Sequence, residues 1–416
     1  MLLNKLHPDI KKLVFIGCTI IFFSQIFQTI ERVDNIVIYN FPDKELLLLG
    51  LIFIAIAAYC RPSFYSEKTV LLFSLYFFYS LIITIINYSS LPDLTGKFAT
   101  RSKPVFIGGL LIIYFFLLCY AYYLSKANND DLKTIIKIFF NLTFLQSLIG
   151  LILWFAYIIK ANPFAIGVNI GYTIPRAQGF AEEPSMFGPI ALLSSIYFIK
   201  VSKFKFLISI IAAIVSFSST FILVSIIIIF LILLYKVIKL KNWLLKINIL
   251  ILTPLILFIV INSFYQTQIF IILVQRIADH ISLIIDFIKE GNIIKSSIHA
   301  PRVFGMINGI TILLQSNWFC GMGLGSQVYL LNSWEGSIPF YLISLILETG
   351  IVGLFLHFLL LKLFFKKMYS LNKWYLLITL VPFFVWLING GASYFLFYFL
   401  AFLLYFNLEK NVNQKA

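Results

Sequence analysis

Arg176-Ala-Gln-Gly-Phe-Ala-Glu-Glu-Pro-Ser-Met-Phe-Gly188 gathers an arginine, two carboxylates, two glycines and a proline between long apolar segments. Pro184 suits the first position of a helix, which makes Glu183 its N-cap and Glu182 the residue before it. A purely structural reading accounts for both acids, because carboxylates at a helix N-terminus complement its dipole. Arg176, however, lies six and seven residues upstream of them, near enough for the chain to fold back and pair with them. A guanidinium fork binds phosphate or carboxylate bidentately, and a carboxylate can orient or deprotonate a hydroxyl. Beside a bilayer, such a pair would hold a phosphate donor and a hydroxyl acceptor together.

Other residues could contribute. His299-Ala-Pro-Arg302 is a second basic point, with a solvated loop cluster as its structural alternative. Arg276, Asp279 and His280 share one helical face at i, i+3, i+4 spacing, which also suits a surface ion pair. Gly321-Met-Gly-Leu-Gly325 resembles a nucleotide loop in composition but follows no strand; a tight turn leading back into the bilayer fits better. Glu348 falls about ten residues into an apolar segment. An intramembrane carboxylate is functional by default, though Gly350 and Gly353 equally suit a polar contact in a close helix crossing. His7 and His357 carry no expected chemistry. No His/Cys/Asp/Glu cluster has metal-ligand spacing, and neither a Walker loop nor a serine elbow is present. No metal or other cofactor is expected.

The elements that must position these residues are membrane spans. The 416 residues are 61% hydrophobic and only 12% charged, beyond what soluble globular chains show. Twelve apolar runs read as spans, at about 13–30, 45–60, 69–87, 105–124, 136–158, 185–200, 204–217, 219–235, 247–264, 339–361, 374–388 and 392–407. The pair 204–217 and 219–235 is divided only by Ser216-Phe-Ser-Ser-Thr220 and equally suits one broken helix. Ile16-Gly-Cys18 faintly suggests a lipoprotein cleavage site, but too few apolar residues precede it, and 13–30 reads as an uncleaved first span. Cys18, Cys60 and Cys119 lie in apolar segments and Cys320 in a loop, so no disulfide framework is implied.

With both termini inside, 21 of the 32 basic residues fall on the inner side, which satisfies the positive-inside rule. This loop bias, rather than nucleic-acid binding, explains the net charge of +15. Arginines invert the trend: Arg32, Arg101, Arg176, Arg276 and Arg302 fall outside and only Arg61 inside. Lysine suffices to set topology, so the outer face selects guanidinium. Two outer loops, 159–184 and 265–338, are long enough to be functional. The second opens on an amphipathic stretch with Gln275, Asp279, Ser282, Asp286 and Lys289 on one stripe, suited to a helix at the interface. No internal repeat or soluble domain is evident, so residues 1–416 read as a single integral membrane domain, all-α and polytopic.

In order and sidedness these pieces resemble Wzy-type O-antigen polymerases, within the wider group of lipid-linked glycan polymerases and O-antigen ligases. The resemblance rests on Arg176–Ser185, Arg302, Gly321–Gly325 and Leu347-Glu-Thr-Gly-Ile-Val-Gly353, within a twelve-span topology. It implies a GT-C-like fold and glycosyl transfer on the periplasmic face of a bacterial inner membrane. Donor and acceptor would be undecaprenyl-diphosphate-linked oligosaccharides. Arg176 and Arg302, with Arg276 as a third contact, would hold the leaving diphosphate; Glu183, or else His299, would serve the acceptor hydroxyl. Glu182, His280 and Glu348 remain further candidates. Membrane lipids and a Wzz-type chain-length regulator are the implied partners, and no nucleic acid. O-antigen ligases usually carry a histidine before the Glu-Thr-Gly helix, where this chain has Pro339, and this argues against the ligase reading. The rival from another class is a lipid-linked oligosaccharide flippase or transporter, which would show repeat symmetry and midplane polar residues in several helices. A membrane scaffold is a third, weaker option.

Overall fold

The computed structural model describes residues 7–27, 43–59, 67–92, 103–162, 165–170, 175–181, 184–239, 309–316, 318–330, 341–389 and 393–413. Helices in chain order are α1 (His7–Ile26), α2 (Asp43–Tyr59), α3 (Lys68–Asn87), α4 (Lys103–Lys126) and α5 (Asn129–Ile158). A two-stranded hairpin follows, β1 (Val168–Asn169) and β2 (Arg176–Ala177). Then come α6 (Pro184–Phe198), α7 (Lys203–Val215), α8 (Ser219–Lys239), the short α9 (Ser326–Leu330), α10 (Tyr341–Leu371), α11 (Lys373–Asn389) and α12 (Ser393–Asn413). Every expected span except 247–264, which lies outside the described residues, coincides with a helix. Five of them are long and apolar enough to cross a membrane: Lys68–Ser90, Phe106–Lys126, Asn129–Ile158, Leu342–Leu371 and Phe395–Val412.

Local chemistry sets several boundaries. The Asn128 side chain accepts from the Asp131 N–H at 2.8 Å and caps α5. Ser202 caps α7 in the same way, at 3.4 Å to the Lys205 N–H. The uncertain pair resolves into two helices, because α7 ends at Val215 and the chain turns through Phe217 at φ 43°. Cys18 is buried inside α1, where Gly17 faces Gly50 of α2 so closely that a Cβ on Gly17 would lie 2.9 Å from the Gly50 carbonyl oxygen. Small residues permit this approach in apolar surroundings.

The centre of the bundle is α12. In its apolar window 72% of residues are buried, against 33–39% in the other four long helices. It packs on α1, α4, α5, α10 and α11. His357 of α10 meets it directly, Nδ1 lying 2.6 Å from the Tyr398 hydroxyl, with Trp386 of α11 and Tyr76 of α3 around the same ring. A buried imidazole with an oxygen partner holds helices together where neither group could stay unpartnered.

Contacts also sort the helix ends. At one end Lys11 pairs with Asp131 at 3.2 Å, Lys367 with Glu409 at 3.6 Å, and Asn129 donates to Asn411 at 2.6 Å. Lysines there lie over rings, Lys200 over Trp374 and Lys205 over Phe198. Charged heads leaving an apolar body at aromatic rims is the expected arrangement for long cationic side chains. The hairpin and the glycine-rich loop 321–325 gather at the opposite ends of the helices they touch.

Candidate functional site

The segment 175–181 is fixed by α5, by the preceding strand β1 and by the ends of neighbouring helices. Trp154 Nε1 donates to the Pro175 carbonyl at 3.0 Å. Gln146, its amide oriented by its partners, accepts from the N–H groups of Phe180 and Ala181 at 3.1 and 3.0 Å. The Gly167 carbonyl accepts from both Gln178 and Gly179 at 2.9 Å, closing the turn that follows the Val168↔Ala177 and Asn169↔Arg176 pairs. Gly179 has φ 59°, and a Cβ there would lie 3.2 Å from the Cα of Gly150 and 3.1 Å from the Phe187 ring. Both facts require glycine in the Arg-x-x-Gly-Phe spacing. Phe180 reaches the end of α1, its ring centroid 6.2 Å from that of Phe27.

Arg176 is thereby delivered into the protein, only 9% exposed. Its Nε donates to the Ser216 carbonyl at 3.2 Å. Ser216 is the C-cap of α7, so its carbonyl belongs to the negative end of that helix, where a cation is stabilised. The start of α6 meets the same place: a Cβ on Gly188 would lie 2.5 Å from Ser216 Oγ. The helix begins at Pro184, as its sequence implied. Arg176 is therefore seated at the C-terminal end of α7, which the N-terminal part of α6 also meets. A guanidinium plane fixed through Nε beside a helix N-terminus has the donor chemistry that anions require.

Glu348 occupies a second locus. It lies just before a break in α10 at Gly350, where φ is 65° and ψ −174°. Its carboxylate accepts from the Gly325 N–H at 3.0 Å. Loop 321–325 is also tied to α3: Tyr79 OH donates to the Cys320 carbonyl at 2.9 Å, and Thr84 Oγ1 accepts from the Leu324 N–H at 2.9 Å. Amides 322–326 all bond to protein oxygens, so this backbone forms no phosphate nest despite its glycines. The polar partner of Glu348 is thus a loop rather than a crossing helix.

Glu182, Glu183, Arg276, His280, His299 and Arg302 lie outside the described residues, as does the amphipathic stretch from Gln275 to Lys289. Sequence reasoning missed Gln146, Trp154 and Ser216. Gln146 carried a usable signal, a lone amide midway along an apolar run. No family model, no curated protein and no solved structure matches this chain.

Proposed function

We propose that this chain is a Wzy-type polymerase of surface polysaccharide, in particular O-antigen. In this reading twelve spans form a GT-C-like membrane domain in a bacterial inner membrane, with both termini cytoplasmic. The ends that carry Arg176 face the periplasm. The observation that carries the reading is the seating of Arg176, buried and oriented by the Ser216 carbonyl beside the first turn of α6.

The acceptor is a repeat unit on undecaprenyl diphosphate, and the donor is the growing glycan on the same carrier. An acceptor hydroxyl attacks the donor's anomeric carbon, forming the new glycosidic C–O bond. The bond from that carbon to the diphosphate breaks, and undecaprenyl diphosphate departs with the electron pair. Arg176 and Arg302, assisted by Arg276, neutralise the charge gathering on the leaving group. Such preorganised donors act most strongly where water is excluded. The proton of the acceptor hydroxyl passes to Glu183, with His299 as second choice. No nucleotide takes part, since the energy of the diphosphate bond drives the transfer.

The test uses purified protein with a lipid-linked repeat unit, no nucleotide and added chelator, reading products on a size ladder. Lengthening of the lipid-linked glycan is expected. Unchanged glycan, with movement of the lipid across vesicle membranes by the same protein, would make this a flippase and remove the catalytic roles.

A further inference from the structure

The break in α10 has a specific hydrogen-bond pattern. In an uninterrupted helix the N–H of Ile351 would bond to the Leu347 carbonyl, and that of Val352 to the Glu348 carbonyl. Here the Ile351 N–H goes to the Trp318 carbonyl at 3.1 Å, and the Val352 N–H to the Phe319 carbonyl at 3.5 Å. The carbonyls left behind are met by the same segment: Met322 N–H reaches Leu347 and Gly323 N–H reaches Glu348, both at 2.8 Å. Segment 318–323 is therefore inserted into the helix ladder, replacing two internal bonds with four bonds to itself.

Three close glycines make the insertion possible. Gly350 and Gly321 approach so nearly that a Cβ on Gly321 would lie 2.5 Å from the Gly350 nitrogen, and one on Gly350 would lie 2.2 Å from the Phe319 carbonyl oxygen. Gly323, at φ 99°, passes Thr84 of α3, where a Cβ would lie 2.7 Å from the Thr84 Cα. Within α10, one side chain at the break reaches across to the insert: the Glu348 carboxylate, on the Gly325 N–H.

We propose that segment 318–325 is a removable insert in α10, and that Glu348 is the positioning residue that latches it. The helix loses little when the insert leaves, because once Gly350 turns from φ 65° to the helical region the two displaced bonds, 351 to 347 and 352 to 348, can reform. The insert loses its partners instead. In this role Glu348 acts as a hydrogen-bond acceptor. This inference stands whether or not the chain is a glycan polymerase.

Hydrogen exchange on the full-length protein in lipid nanodiscs, with fragmentation resolving single amides, tests it. Glu348→Ala is expected to speed exchange at Met322, Gly323 and Gly325 by about tenfold, the scale of one net hydrogen bond. Ile351 and Val352 should stay protected, because α10 recloses. Glu348→Gln keeps an acceptor oxygen and should leave all five amides at wild-type rates. Gly350→Ala disfavours the φ of 65° and pushes on Phe319, so it should reproduce the Glu348→Ala pattern. Unchanged loop amides in Glu348→Ala would overturn the latch. Loss of protection at Ile351 and Val352 in step with the loop would overturn the exchange, showing ordinary local unfolding. Parallel behaviour of Gln and Ala variants would show that charge, not an acceptor, is required. Loosening that spreads to α5 also counts against the proposal, since release is local.

Discussion

Arg176→Lys separates the two jobs a buried guanidinium can hold at the end of α7. In lysine the atom at the Nε position is a methylene, so the positive charge persists while the donor to Ser216 disappears. Because Arg176 is only 9% exposed, water does not replace that donor. Loss of a hydrogen bond from a charged donor costs about 1.5–3 kcal/mol. Attraction between a cation and the helix C-terminus, worth up to about 2 kcal/mol in partly buried geometry, survives in lysine and is lost in alanine. Thermal melting in detergent, followed by tryptophan fluorescence, should therefore rank wild type above Arg176→Lys and that above Arg176→Ala. Polymerisation should fall further than stability does, by about a hundredfold in Arg176→Lys at a temperature where the variant is folded, as when one preorganised donor to a transition state is removed. A melting curve unchanged in both variants would refute the Ser216 argument. Lowered stability with near-normal glycan lengthening would leave Arg176 as a helix cap and remove it from the diphosphate role.

Gly150→Ala should destabilise the bundle by about 1–3 kcal/mol through overpacking, since the new Cβ would lie 2.3 Å from the ring of the fully buried Phe187; an unshifted melting temperature would show that this ring can yield. Lys11→Ala strands the Asp131 carboxylate, whose side chain is only 7% exposed. It should lower stability by about 1–3 kcal/mol, and adding Asp131→Asn should recover much of that, because the uncompensated charge is gone; a double variant worse than Lys11→Ala would contradict the pairing. On the proposed mechanism Glu183→Gln removes the proton acceptor, so polymer output should collapse with the melting temperature unchanged. Normal turnover would remove Glu183 from the proton-transfer role.

Helix positions were legible because side chains declare them: apolar runs and a Pro184 start are written in residue types. Arg176 was legible for the same reason, being an arginine in a chain that otherwise favours lysine. Its partner was not. Ser216 contributes a backbone carbonyl, which every residue possesses, and 40 positions separate the two. The break in α10 was not legible. Gly350 and Gly353 read as the small residues of a close helix crossing, and the composition Gly-x-x-Gly fits that as well as an interruption. Only the bonds between 318–323 and 347–352 decide between them, and those join main-chain groups that leave no mark on side-chain pattern.

The placement of α12 bears on how the molecule comes into being. The helix that fills the middle of the bundle is made after every helix it touches. Until it is inserted, the faces of α1, α4, α5, α10 and α11 that it covers lack that partner, while pairs such as α1 with α2 can already close. Packing of the described core is therefore completed late, and a chain interrupted before residue 393 would leave those faces uncovered.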